Sequence, residues 1–248
     1  MTRGFYTAAN GILTEQRVID MIANNIANIN TAGYKTDKEV TDRFSTWLVK
    51  MQGEPGAGEI GYRSLETTYT DISQGLLAQT DSKLDLAIEG NVFFNIETLQ
   101  GETLLTKAGQ FSVDGEGYLA LGNNGRVCDD AGNPIQIMTS DFTVDPTGVI
   151  TTAQGAQFTL GLTYIEDSTD VEKVGDTLFR PYDAAITLGN IPEGYAYQIR
   201  QGFYERSNGD VASLQISASS HQGVFTACST AIKVMQQLNA LATQDMKI

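Results

Sequence analysis

Phe5, Ile12, Ile19 and Ile26 recur every seven residues along the amino-terminal segment, with Ala8, Ile22 and Ile29 three places further on and Glu15 as the one interruption. A heptad of this kind marks a helix whose apolar seam faces another helix. The series predicts one long helix over about residues 3–30, ended where Thr31, Ala32 and Gly33 supply a natural stop. The other end of the chain repeats the pattern. After the turn signal Ser207-Asn208-Gly209-Asp210, the residues Leu214, His221, Cys228, Met235 and Ala242 fall seven apart, and Val224, Ala231 and Leu238 lie three beyond the middle ones. Such stripes ordinarily pack on a core within the same molecule. Here they occupy the two extremes of a 248-residue chain, separated by material of another kind, which favours a paired-helix module.

That other material is β. Segments such as LDLAIEGNVFFNIE, LLTKAGQFSVDGEGYLAL, FTVDPTGVITT and QFTLGLTYIED show short apolar runs or alternation. They are punctuated by turns at Asp114-Gly115, Asn123-Asn124-Gly125, Asp130-Ala131-Gly132 and Pro146-Thr147-Gly148, a spacing typical of hairpins in an all-β domain. The stretch 40–51 around Trp47 reads as a short helix or strand, and QGEPGAGEIG reads as a loop. The expected fold class is α+β, with long terminal helices forming a coiled-coil layer and a central all-β domain. The expected divisions are an amino-terminal assembly helix at 1–35, an extended inter-subunit segment at 36–80, the β domain at 81–205 and a carboxyl-terminal assembly helix at 206–248.

Charge narrows the function. Sixteen Lys and Arg against 30 Asp and Glu give a net charge of −14, which repels nucleic acid and anionic lipid at long range, so neither is expected as a partner. The opening MTRGFYTAANG has no apolar core of a cleaved secretory signal, and no uncharged apolar run approaches the roughly 20 residues of a membrane span. Two cysteines without C-x-x-C pairing and a single histidine give no disulfide framework and no zinc site. Neither G-x-S-x-G nor a phosphate-binding G-x-x-x-x-G-K-[ST] occurs, and the acids at 114–116 and 129–130 lack calcium-loop order, so they read as solvated turn carboxylates. His221 and Cys228 sit on a helical stripe and read as packing residues. No enzyme, cofactor or metal is expected.

The segment ANNIANINTAGYK, residues 23–35, is unusual for a helix because asparagine competes for backbone hydrogen bonds. Asn24 and Asn28, one turn apart, form an amide stripe beside Ile22, Ile26 and Ile29, which suits a surface pressed on other helices; a frayed end capped by asparagines is the other reading. At this point the residues carry a resemblance. YTAANG followed by ANNIANINTAGYK is similar to the amino-terminal signature of bacterial flagellar rod and hook proteins, A-N-N-[LI]-A-N-x-N-T-x-G-[YF]-K. LDLAIEGNVFF, LTKAGQFSVDGEGYL and IRQGFYERSNGDV resemble the family's later blocks in family order, with departures at Val92, Tyr204, Arg206 and Gly209.

The resemblance implies a structural subunit of the flagellar basal-body rod, exported through the flagellum's own secretion apparatus without signal cleavage. It implies polymerisation with copies of itself and other rod proteins into a helical tube that transmits torque and lines the export channel. Length favours a rod over a hook protein, and the short region 35–84 favours a proximal over a distal rod position. The expected assembly interface joins the seam residues Phe5, Ile12, Ile19, Ile22 and Ile26 with Asn24 and Asn28. It adds Asn25, Asn30, Thr31, Gly33 and Tyr34 of the signature, and Val224, Cys228, Ala231, Met235 and Leu238 of the last helix. The alternative is a secreted carbohydrate-active or carbohydrate-binding protein built on the β domain.

Overall fold

A computed structural model describes residues 2–43, 63–182 and 189–245. The chain forms two compact units, one of Met1–Ala27, Asp37–Tyr69 and Asp210–Ile248, the other of Asn28–Thr36 and Thr70–Gly209. The short segment 28–36, which the sequence groups with the first helix, thus belongs by its contacts to the β unit. The expected element around Trp47 and the loop QGEPGAGEIG lie outside the described residues.

The helical unit contains α1 (Thr2–Ala27), a ribbon of β1 (Asp37–Arg43) and β2 (Arg63–Thr70), and α2 (Val211–Asp245). Past Ala27, α1 gives way to a turn in which Thr31 N–H donates to Asn28 O at 3.0 Å. Gly33 then takes φ +69°, a left-handed conformation that ends helices and suits glycine. Asp210 opens α2 as its cap, its Oδ2 accepting from Ser213 N–H at 3.0 Å and its carbonyl from Leu214 N–H at 3.0 Å. The helices run antiparallel, since a Cβ built on Gly4 would stand 3.3 Å from Met235 Sδ and one on Gly11 3.1 Å from Cys228 Sγ, while Glu15 meets His221.

The β unit holds β3 (Leu77–Gln79), β4 (Leu86–Glu89), β5 (Val92–Glu97), β6 (Thr103–Thr106), β7 (Ser112–Val113), β8 (Leu119–Ala120) and β9 (Arg126–Val127). Beyond these come β10 (Phe142–Val144), β11 (Val149–Thr152), β12 (Gln157–Thr159), β13 (Leu162–Tyr164), β14 (Val171–Lys173), β15 (Leu178–Pro181), β16 (Gln198–Gln201) and β17 (Phe203–Glu205). The main sheet runs β14-β15-β6-β5-β9-β8-β7, with β13 also on β5; β10-β11-β12 form a second sheet, and β16-β4 and β17-β3 form pairs. All these named pairings are antiparallel. Strand β5 explains the unbroken run VFFNI: Val92, Phe94 and Ile96 enter the main core with Leu86, Leu119 and Val127, while Phe93 enters a second cluster with Leu105, Ile165 and Phe179. A strand covered on both faces loses alternation. Asn95, the polar residue within that run, is buried and accepts a 2.7 Å hydrogen bond from Thr163.

The acids that head the turns are occupied by the backbone. Asp114 Oδ1 accepts from the N–H groups of Glu116 and Tyr118, and Asp145 Oδ1 from those of Thr147 and Val149. The Tyr118 N–H bond above all, helped by Arg126, holds the Asp114 carboxyl below its ordinary range. Among the described residues no cluster of three His, Cys, Asp or Glu side chains is disposed to hold a metal ion, and no described helix is long and apolar enough to cross a membrane.

Candidate assembly site

Each terminal helix carries two apolar stripes. On α1 the positions that turn inward are Ala8, Glu15 and Ile22 together with Val18 and Asn25, all buried, and Gly4 and Gly11 continue the second series toward the amino terminus. This second series lies one residue before Phe5, Ile12, Ile19 and Ile26. Those four are left on the flank, Phe5 38% exposed and the three isoleucines half-buried. On α2 the half-buried residues include Leu214, His221, Cys228 and Met235, joined by Ala218, Phe225 and Ile232. Val224, Ala231 and Leu238, again displaced by one, are exposed, Val224 at 43% and Leu238 at 53%. One series on each helix therefore closes the pair within the subunit; the second is exposed on α2 and only partly covered on α1, where Phe5 is its exposed member.

The inward series is built from small and polar residues for physical reasons. Glycine at 4 and 11 lets the α2 backbone approach until a methionine and a cysteine sulfur fill the space. Glu15, which interrupts the heptad in sequence, is 2% exposed and its Oε2 lies 2.6 Å from His221 Nδ1, while His221 Nε2 lies 3.8 Å from Glu39 of β1. The histidine is thus a polar bridge inside the seam. Beside it an open cleft of about 280 Å³ is lined by Val18, Ile22, Asn25, Asp37, Leu214 and His221.

The asparagines divide. Asn25 is 1% exposed; its Nδ2 donates to Asp37 O at 2.8 Å and its Oδ1 accepts from Asp37 N–H at 3.0 Å, so one amide acts as an extra rung pinning the start of β1 to α1. Asn24 and Asn30 are exposed. Asn28 is half-buried and its Oδ1 accepts from Thr31 Oγ1 at 3.2 Å.

The rest of the signature turns into the β unit. Gly33 N–H donates to Glu205 O at 2.7 Å, and Tyr34 is wholly buried with Lys173 Nζ 4.0 Å above its ring centre. Lys35, also wholly buried, bonds Glu205 Oε1 at 2.6 Å and Ser73 O at 2.6 Å. Lys107 stands 3.7 Å from Glu205 Oε2, and burial pushes its ammonium down to about 8, with Glu205 opposing the shift and Lys35 adding to it. Gly33 and Tyr34 are therefore enclosed by their own subunit, whereas Phe5, Asn24, Asn30, Val224, Ala231 and Leu238 face out from the unit that carries them. The sequence marks Lys35, Glu205 and Asn208 only as members of the blocks that carry the resemblance and Glu15 only as a break in the heptad; it does not say what they contact.

Comparison with known proteins identifies the family. The Flagella basal body rod protein family matches residues 5–35, and the Flagellar hook protein FlgE/F/G D1 domain matches residues 87–152. The chain is 30% identical to the flagellar basal-body rod protein FlgG of Agrobacterium fabrum, over 99% of this chain and 100% of that one. It is 28% identical to FlgG of Bacillus subtilis over 96% and 98% of the two chains. To the flagellar basal-body rod protein FlgF of Caulobacter vibrioides it is 29% identical over 84% and 83%. These likenesses run through both helices and the β unit and support the rod reading, not the carbohydrate-active alternative. The chain belongs to the flagellar basal-body rod proteins, a structural family.

Proposed function

We propose that this subunit builds the rod through the outward stripes Phe5, Ile12, Ile19 and Ile26 on α1 and Val224, Ala231 and Leu238 on α2, while the inward stripes hold the helix pair together. The observation that supports this is a second apolar series on each helix, one residue out of phase with the inward one, exposed on α2 and only partly covered on α1. A dilute chain gains nothing from exposed valine and leucine in a stripe, and contiguous apolar surface of this kind marks a protein interface. Because the surfaces offered by the two helices differ, head-to-tail contact between copies produces an open helical array, as a tube requires. In that array the paired helices form a coiled-coil layer that lines the export channel, and the tube transmits torque. The flagellar export apparatus carries the chain outward, and the short region 35–84 supports a proximal place in the rod.

The two stripes are separable by experiment. Leu238→Asp is expected to leave the purified subunit as stable as the parent, within about 0.5 kcal/mol, because surface substitutions rarely cost more. It should also abolish rods in a strain that carries only this variant. Val18→Asp, which buries an unpaired carboxylate between the helices, is expected to destabilise the helix pair itself. Basal bodies counted by electron microscopy in normal number with Leu238→Asp would overturn the assignment. Immunogold labelling along purified basal bodies tests the proximal position.

A further inference from the structure

The β unit gathers three stretches of chain at one point, 33–36, 71–75 and 205–208, and each lies close to a place where the chain passes to the helical unit. Asn208 binds the other two. Its Oδ1 accepts from Thr36 N–H at 2.9 Å and Thr36 Oγ1 at 3.1 Å. Its Nδ2 donates to Asp71 O at 2.7 Å and reaches Ser73 O at 3.4 Å and Ser73 Oγ at 3.2 Å. Asp71 N–H closes the triangle by donating to Thr36 O at 2.9 Å. Beneath this amide, the buried Lys35–Glu205 pair ties the same stretches a second time: Lys35 reaches Ser73 O, and Glu205 Oε1 also accepts from Gly75 N–H at 2.8 Å. The stretches pass so close that a Cβ at Gly75 would collide with Arg206 O.

A buried ion pair is a poor stabiliser, because apolar residues of similar volume often do as well or better; what it fixes is geometry. The amide of Asn208 likewise fills no core. Both sit within four residues of a crossing between the units. We propose that Asn208, with the Lys35–Glu205 pair, is the mechanical clamp of the subunit, positioning the chain exits so that twist passes between the helices and the β unit in an assembled rod. The proposal rests on the rod reading above.

The test uses whole cells and the full chain, with Asn208→Ala and, separately, the apolar variant Lys35→Met/Lys107→Met/Glu205→Leu, which also removes the Lys107 ammonium that faces Glu205. In the isolated subunit, Asn208→Ala should speed amide exchange at Thr36 by at least tenfold while β5 and β6 stay protected, which reads the clamp directly. Rods should form in parental number, but purified basal bodies should break several-fold more often under shear, and swimming should fall off more steeply as the medium is made viscous. A purely stabilising role would lower subunit melting temperature and rod number together and leave the surviving rods as strong as the parent's; that result overturns the proposal. So does parental shear resistance in both variants, or failure of both to fold. Failure of the parent chain to restore rods to a strain lacking it would instead sink the rod reading itself.

Discussion

Glu15 Oε2 and His221 Nδ1 lie 2.6 Å apart, joining residues 206 positions distant in the chain across the α1–α2 seam. The bond fixes helix register as well as strength, because an apolar seam alone tolerates a one-turn slip and a single polar pair does not. His221→Ala is expected to destabilise the helix pair by about 1.5–3 kcal/mol, the range for a hydrogen bond to a charged group. Glu15→Gln should cost less in the His221→Ala background than in the parent, giving a coupling of about 0.5–3 kcal/mol in a double-mutant cycle read by denaturant unfolding at 222 nm. Strict additivity would mean that the two side chains merely stand near each other.

Asn25 and Asn24 are neighbours with opposite expectations. Asn25→Ala removes both hydrogen bonds to the Asp37 backbone from a buried site, so a loss of about 1–3 kcal/mol and fraying of the β1 start are expected. Asn24→Ala, on the exposed face, should fall within about 0.5 kcal/mol of the parent, with alanine's better helix propensity on its side. Equal costs at the two positions would contradict the assignment of the backbone tie to Asn25 alone.

Sequence periodicity located both helices and one inward series on each, Ala8 and Ile22 on α1 and Leu214 to Met235 on α2. It did not mark Gly4, Gly11, Val18 and Asn25, one residue before the bulky series, as part of the contact between the helices, because it weighs bulk. Phe5, Ile12, Ile19 and Ile26 look like a seam, yet Gly4, Gly11, Val18 and Asn25 form it, since close helix approach rewards small side chains and specific polar partners that no hydropathy pattern records. The β unit was legible from turn chemistry, but the turn acids read as solvated, whereas Asp114 and Asp145 bond the backbone of their own turns. Lys35 and Glu205 were not, because lysine and glutamate are surface residues by default and their burial depends on a partner 170 positions away.

Lys107 makes stability depend on pH in a defined direction. Its ammonium is pushed down to about 8 in the folded unit from 10.5, chiefly by burial. Between those values the unfolded chain holds a proton that the folded one has released, so stability rises with pH across the window, by on the order of 3 kcal/mol in total from this group. Below pH 8 both states are protonated and the cost of burying the charge is present in full. Lys107→Met should therefore flatten the profile of unfolding free energy between pH 8 and 10.5 relative to the parent, and a parallel profile would show that Lys107 titrates as an ordinary lysine.

The order of local stability follows from where side chains are covered. In the β unit, Leu86, Val92, Phe94, Ile96 and Leu119 are at or near zero exposure, whereas no side chain described on α2 is fully buried. One face of α2 is partly covered, and the other carries Ile216, Val234 and Leu241 at 73%, 46% and 59% exposure. An isolated helix of this kind is marginal in water, and packing on a single partner supplies only part of what it needs. Amide exchange in a dilute, verified monomer should accordingly be slowest in β5 and β6, faster across α1 and α2, and fastest toward the end of α2 beyond Leu238. In assembled rods, contacts from neighbouring copies cover the outward stripes, so protection along α2 should rise by orders of magnitude while that of β5 changes little. Equal protection of α2 in monomer and rod would mean that its outward face gains no cover on assembly, and the two-stripe account would fail.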